Sequence, residues 1–238
     1  MKFHHLMATA LLFVAMDSRA ALIHQFELNG NLNDRLGGDA LLGLGGAWDD
    51  GAYRFGANKG LGLTTKLGAV YSIDMSFKFD QFYGYNRILD FKDNTTDNGF
   101  YAFGDQLGLF PTMSSAGDLT AGAFTRVTVT RDAASKFRIY QDGKLVLTLN
   151  DSAGHANFGD NLAYFFRDDT RDNGRAENPP GAVDWIHIYN HALSDAEVLA
   201  AGPVPAEVPE PGSLGMMASC LGILGWMSYR RNRKQGKR

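Results

Sequence analysis

Oxygen-bearing side chains crowd one stretch of this chain. Asp168 and Asp169 are followed by Thr170, Asp172, Asn173 and Glu177, so four acids and an asparagine fall within ten residues. Calcium takes about six to eight oxygen ligands and tolerates irregular loops. Asp168 and Asp169 are therefore the candidate metal ligands, and Ca2+ the candidate cofactor. Asp93-Asn94-Thr95-Thr96-Asp97 forms a second cluster of the same kind. Neither follows the EF-hand spacing. The competing reading is a solvated acidic loop neutralised by Arg167, Arg171 and Arg175.

A second chemistry is suggested by Phe82-Tyr83-Gly84-Tyr85-Asn86, where aromatic rings sit in a turn beside an amide. Rings next to planar polar groups suit stacking on a sugar face. Tyr83 and Tyr85 are the candidate ligand-binding residues, against the alternative that they pack the edge of the fold. A catalytic set is not legible. Glycoside hydrolysis needs two carboxyls flanking the bond, and of the glutamates only Glu27 and Glu177 lie outside the expected helix, the linker and the tail. There is no G-x-S-x-G elbow and no H-E-x-x-H. His24, His155, His187 and His191 are scattered, with His187 read as packed or hydrogen-bonded and His191 as a surface residue.

The elements that must position these residues read as strands. In Val70–Asp80, Tyr71, Ile73, Met75, Phe77 and Phe79 alternate with Ser72, Asp74, Ser76, Lys78 and Asp80. A period of two puts one face in a core and the other in water. Phe124–Asn150 holds three strands, the last two joined by Asp142-Gly143, a hairpin signal because both turn positions tolerate positive φ. Leu22–Leu28, Tyr53–Phe55, Leu61–Leu63, Tyr85–Lys92, Phe100–Phe103, Leu107–Phe110 and Leu162–Phe166 add strands. Val183–Tyr189 is apolar on both faces, as suits a central strand or a bulge near Trp185. Asp39–Asp50 reads as a glycine-rich loop plugged by Trp48. One helix is expected at Asp195–Ala201, with Ser194 and Glu197 as a capping box. Many short strands with Gly/Asp turns and one helix predict an all-β antiparallel sandwich. In such a sandwich Asp34 and Asp184, near opposite ends of the domain, come together if the terminal strands pair.

The ends of the chain read as processed segments. Residues 1–20 combine Lys2, an apolar run from Leu6 to Met16 and Ser18-Arg19-Ala20, the layout of a secretory signal peptide. Residues 21–202 are the sandwich, 203–211 a Pro/Glu linker, and 212–238 an apolar run, Leu214 to Tyr229, followed by six basic residues. As a helix that run is about 24 Å long, short of the roughly 30 Å hydrocarbon core yet uncharged. The basic end favours a cytoplasmic tail with the domain outside. Residues 21–207 carry 15 Lys and Arg against 24 Asp and Glu, a net of about −9 that the whole-chain value of −3 conceals. So acidic a domain repels phosphate and excludes a nucleic-acid partner. Cys220 is the single cysteine, so no disulfide supports the fold.

Two resemblances follow from these residues. Pro209-Glu210-Pro211, the apolar run and the arginine-rich end are similar to the PEP-CTERM sorting signal. That implies a Gram-negative exporter, passage through signal peptidase and the Sec machinery, and cleavage near Pro209, Glu210 and Pro211 by an exosortase. It also implies a transient inner-membrane anchor with the domain periplasmic, and a final place at the cell surface or outside the cell. Three other segments resemble the laminin-G-like, concanavalin A-like jelly roll: Phe26-Glu27-Leu28-Asn29-Gly30-Asn31-Leu32-Asn33-Asp34, then Val127–Lys144 with Thr130-Arg131 and Asp142-Gly143, then Val183–Ser194. His187 stands where that family usually has arginine. The resemblance implies a binding fold, often with calcium, whose partner is an exopolysaccharide or another surface polymer. The alternatives it leaves are a structural matrix component without a small ligand and a glycoside hydrolase.

Overall fold

A computed structural model describes residues 21–114, 117–169 and 178–201. The N-terminal leader, the linker, the Pro209-Glu210-Pro211 motif, the apolar run and the stretch 170–177 lie outside the described residues. The strands are β1 (Leu22–Phe26), β2 (Leu42–Gly43), β3 (Ala47–Asp49), β4 (Ala52–Phe55) and β5 (Leu61–Leu63). Next come β6 (Tyr71–Phe79), β7 (Tyr85–Asp90), β8 (Gly99–Phe103), β9 (Gln106–Leu109) and β10 (Thr112–Met113). They are followed by β11 (Thr125–Arg131), β12 (Lys136–Gln141), β13 (Lys144–Asn150), β14 (Ala163–Phe165), β15 (Gly181–Tyr189) and the helix α1 (Asp195–Ala200).

These strands form two antiparallel sheets. The eight-stranded sheet runs β13-β12-β11-β6-β15-β4-β3, with β1 also pairing β15. The seven-stranded sheet runs β10-β9-β8-β7-β14-β5-β2. One apolar cluster joins them: Ile73, Met75, Phe77 and Val129 from the first sheet meet Leu89, Phe100, Leu107 and Phe165 from the second. Aromatic contacts cross the same interior, with Phe55 stacked on Phe166 at 4.7 Å and Phe91 edge-on to Phe137 at 6.2 Å. Asp142 and Gly143 both take positive φ, 49° and 78°, which closes β12 onto β13 as their sequence predicts. The Ser194–Glu197 capping box caps α1.

Three local expectations change. The stretch read as loop, Asp39–Asp50, contributes β2 and β3, two very short edge strands whose pairing with β5 and β4 no internal pattern signals. Trp48 on β3 stays 41 % exposed and packs edge-on against Tyr53 rather than plugging the interior. The polar face of β6 is not in water: Ser72, Asp74 and Ser76 are all buried. The segment leading into α1 and the helix itself lie over it. Ser72 Oγ donates to His191 O and accepts from Leu193 N, both at 2.8 Å. Asp74 takes a two-pronged bond from Arg126, whose Nη2 also reaches Val198 O at 2.7 Å, and Thr128 donates to it at 2.7 Å. A buried carboxylate is tolerated only with such charged and hydrogen-bonded partners.

The terminal strands β1 and β15 do pair, from Leu22 opposite Tyr189 to Phe26 opposite Ile186. Asp34 and Asp184 nevertheless have different neighbours. Asp34 accepts from Gln25 N and Leu36 N and lies 2.7 Å from His24 Nδ1. Burial opposes its charge, yet those backbone N–H groups and His24 hold its carboxyl below the usual carboxylate range. Asp184 has its carboxyl pushed up, first by burial and then by the nearby Glu27. His187 is buried and bonds Glu27 at 3.0 Å, as a packed, hydrogen-bonded histidine.

Candidate functional site

The seven-stranded sheet turns one face to the core and one outward. On β8, Phe100 and Ala102 join the core, so Tyr101 and Phe103 point away from it. On β9, Leu107 and Leu109 are core residues, which leaves Gly108 on the outer face opposite Tyr101. Tyr85 on β7 pairs with Phe103, and Arg87 with Tyr101. The outer face therefore gathers rings. Tyr85 lies 4.7 Å from Phe103, 5.4 Å from Phe110 and 5.9 Å from Tyr101 between ring centres. Phe103 remains 43 % exposed, and Tyr83 at the tip of the preceding loop is 52 % exposed. Asn86 shapes that loop, accepting from Tyr83 N and donating to Tyr83 O.

A charged cluster adjoins the rings. Its centre is Arg87, which is fully buried. Its Nε lies 2.6 Å from Tyr101 Oη and 3.0 Å from Asp168 Oδ1. Nη1 donates to Asp90 Oδ1 at 2.8 Å; Nη2 donates to Thr96 O at 3.0 Å and Asp169 Oδ2 at 3.2 Å, with Asp97 Oδ1 at 4.0 Å. Burial works against the guanidinium charge, but Tyr101, Asp168 and Asp90 together hold its pKa above the usual arginine value. Burial likewise pushes the Tyr101 phenol and the Asp90 carboxyl above their ordinary values.

The backbone explains how these groups meet. A strict alternation would put Arg87 and Asp90, three residues apart, on opposite faces. A register shift between Arg87 and Leu89 sends both Ile88 and Leu89 into the core and leaves Arg87 and Asp90 together outside it. Gly99 then makes room: a Cβ there meets Tyr101 Cε2 at 2.8 Å and Arg87 Nε at 3.1 Å. Asn178 clamps the Arg87 backbone, its Nδ2 donating to Arg87 O at 2.7 Å. Phe166, at φ 55°, turns the chain after β14 and delivers Asp168 and Asp169 to the guanidinium.

Each candidate residue thus has a place. Tyr83 and Tyr85 belong to one aromatic face, Tyr83 on its rim and Tyr85 within it. Asp168 and Asp169 are buried beside Arg87. They face a cation that the chain already carries, so as they stand they do not fit a calcium site. Among the described residues no group of three or more His, Cys, Asp or Glu is placed to hold a metal ion. Nor is any helix among them long and apolar enough to cross a membrane. Arg87, Tyr101, Phe103 and Phe110 were not singled out by sequence. Gly99, a glycine at the start of a strand, was the one available hint of a close approach.

Known proteins share this fold. A family model described as the concanavalin A-like lectin/glucanases superfamily matches residues 69–199. A PEP-CTERM protein-sorting motif matches residues 207–234, which implies export, surface sorting and exosortase-dependent processing. No curated protein matches the chain. Among solved structures, a Trypanosoma rangeli sialidase in complex with 2,3-difluoro-KDN is similar over 75 % of this chain, with TM-score 0.62 and 14 % identity. The match covers 32 % of that sialidase chain. Domain 4 of AbnA, a GH43 extracellular arabinanase from Geobacillus stearothermophilus, in complex with arabinotriose, matches 76 % of this chain and 98 % of its own, with TM-score 0.59 and 17 % identity. The receptor-binding domain of botulinum neurotoxin type G matches 75 % of this chain and 50 % of its own, with TM-score 0.54 and 14 % identity. At these identities the likeness is one of fold.

Proposed function

Because this chain belongs to the concanavalin A-like lectin/glucanases superfamily and ends in a PEP-CTERM motif, we propose that it is a surface- or matrix-directed protein that binds polysaccharide. On this reading residues 1–20 are removed as a signal peptide, the apolar run after Pro211 holds the chain in the membrane for a time, and the exosortase acts at Pro209-Glu210-Pro211. The binding surface is the outer face of the seven-stranded sheet. The observation that carries this is the cluster of Tyr85, Phe103 and Phe110 with Phe103 open to solvent and Tyr83 beside it. Phe103 lies tilted by 43° against Tyr85 and presents its open face to solvent, where a ring can stack on the apolar face of a sugar while polar groups at its edge orient the hydroxyls. The arabinotriose held by the arabinanase domain supports a sugar ligand for this fold. Catalysis is not part of the proposal. An acid and a base carboxyl must flank the scissile bond, and the buried carboxylates nearest the rings are spent on Arg87.

Full-length protein in mild detergent, tested on a glycan array and against the producing cell's own exopolysaccharide, checks this. A Tyr85→Ala, Phe103→Ala double variant is expected to bind roughly tenfold more weakly per ring lost, with an almost unchanged melting temperature. Retention of full binding by the double variant sinks the assignment of this face; no binding by the parent to any glycan sinks the function.

A structural role in the matrix is the second reading. Leu145 on the edge strand β13 and Leu199 on α1 are exposed, and a Cβ at Gly143 meets Leu199 Cδ1 at 3.3 Å, so both lie by one hairpin. Exposed apolar groups at a sheet edge favour self-association. Concentration-dependent sedimentation that a Leu145→Lys, Leu199→Lys variant abolishes supports this reading over sugar binding.

A further inference from the structure

The outer side of the eight-stranded sheet carries a pocket separate from the aromatic face. On β12, Phe137 and Ile139 join the core, so Arg138 points to the opposite side of the sheet. There Tyr140, Leu193 and Val198 form a small apolar cluster of their own, which fixes the chain entering α1 over the sheet. Between that chain and β12 lies an open pocket of about 560 Å³, lined in part by Asp132, Arg138, Ala192, Asp195 and Ala196. Its size falls within the roughly 300–1,000 Å³ of small-molecule sites.

The polar groups of this pocket are held in place yet keep bonding capacity. Asp132 Oδ1 accepts from Ala134 N at 3.0 Å and Lys136 N at 2.9 Å, which fixes the turn between β11 and β12. Asp132 Oδ2 meets Arg138 Nη1 at 3.3 Å. Among the described residues Arg138 makes no other ion pair or hydrogen bond, so Nε and Nη2 keep their donors. Asp195 Oδ1 accepts from Tyr140 Oη at 2.8 Å. Burial, and then Asp195, push the Tyr140 phenol far above its usual value, so it keeps its proton and donates. Asp195 Oδ2 accepts from no described residue. The donors of one guanidinium thus share a pocket with the acceptors of two carboxylates. A hydroxyl both donates and accepts, so a pair of neighbouring hydroxyls matches this set, donating to a carboxylate and accepting from the guanidinium. An anion meets the two carboxylates instead, and a cation meets Arg138. We propose that this pocket binds one unit of a neutral glycan through its vicinal hydroxyls, with Arg138 and Asp195 as the contacts and Asp132 positioning the guanidinium. The pocket and the aromatic face lie on opposite sides of the sandwich. The domain therefore holds two glycans at once and bridges them, a consequence that rests on the polysaccharide-binding reading.

The test titrates full-length protein in mild detergent with the methyl glycosides of glucose, galactose and mannose and with glucuronate, followed by saturation-transfer NMR. A neutral glycoside is expected to bind in the millimolar range, and glucuronate more weakly. Arg138→Gln should weaken the glycoside about tenfold, the scale of a lost hydrogen bond to a charged group. Ala196→Phe alters an exposed residue and should block the pocket with the melting temperature almost unchanged. The Tyr85→Ala, Phe103→Ala variant should still bind the glycoside while it loses the polymer. The proposal is overturned if the parent binds no neutral glycoside, if glucuronate binds more tightly than all three, or if Arg138→Gln and Ala196→Phe both leave binding intact. Loss of the glycoside in the double aromatic variant also overturns it, because the sugar then belongs to the aromatic face. Polymer binding that persists in the first three cases keeps the aromatic face as a glycan site. Glycoside binding at the pocket without binding of any polymer keeps the pocket and removes the bridge together with the polysaccharide-binding reading.

Discussion

Replacing Arg87 by methionine lowers the melting temperature by roughly 6–20 °C. Breaking a buried ion pair from one side costs about 3–5 kcal/mol, and a domain of this size loses about 2–4 °C per kcal/mol. The cost is large because Asp90, Asp168 and Asp169 stay behind, all of them buried. The variant also has a pH signature. Burial already raises the Asp90 carboxyl, against the opposing pull of Asn94 N, Arg87 and Lys92 N. A carboxyl raised in the folded state binds its proton more tightly there than in the unfolded chain. Its contribution to stability is therefore present below the ordinary carboxylate range and lost as pH rises through the folded-state value. Removing Arg87 raises that value further. The deficit of the variant relative to the parent should thus shrink on acidification from about pH 7.5 to about pH 5. Thermal melts of both proteins at both pH values measure it, and a deficit that is constant or grows in acid refutes the account. Calcium gives a second readout. In the parent, whose Asp168 and Asp169 serve Arg87, calcium should leave the melting temperature unchanged; a clear rise shows that a cation enters despite the guanidinium.

Phe79→Ala is expected to cost about 3–5 kcal/mol, the range for truncating a buried phenylalanine. Phe79 is the ring on which one end of the interior converges. It contacts Phe77 at 5.5 Å, Phe166 at 5.9 Å, Phe82 at 6.1 Å and Phe55 at 6.2 Å. Four rings around one ring leave no flexible side chain to fill the space, so the cavity persists. Two functional elements lean on it: Phe82 anchors the loop carrying Tyr83, and Phe166 turns the chain towards Asp168. Guanidinium unfolding of the variant measures the cost, and Phe79→Leu should recover more than half of it. Glycan binding should weaken with Phe79→Ala even under conditions where the variant is fully folded. Unchanged affinity there shows that the Tyr83 loop holds its place without Phe79.

The two candidate sites were unequally legible. Tyr83 and Tyr85 announced themselves because a turn rich in glycine and asparagine exposes its rings whatever lies beyond it. Their partners Phe103 and Phe110 read as ordinary strand residues, since alternation does not say which face of a strand meets water. Asp168 and Asp169 were visible as a carboxylate pair, but the cation they meet is 81 and 82 residues earlier in the chain, on a strand whose bulge gives no local signal.

What the sequence determined by itself is what short-range physics controls. The period of two in β6, the positive-φ Asp142-Gly143 turn, the Ser194–Glu197 box and the sorting motif each depend on a few neighbouring residues, and so does the acidic charge of the domain. Tertiary structure alone decided the rest. It covered the polar face of β6 with the segment entering α1, and so made Asp74 a buried anchor for Arg126. It paired β2 and β3, too short to carry a pattern, with strands that need a partner. It brought four aspartates from two distant segments to one arginine beside an open aromatic face. A buried charge is stable only where such partners converge, and convergence belongs to the fold rather than to any stretch of chain.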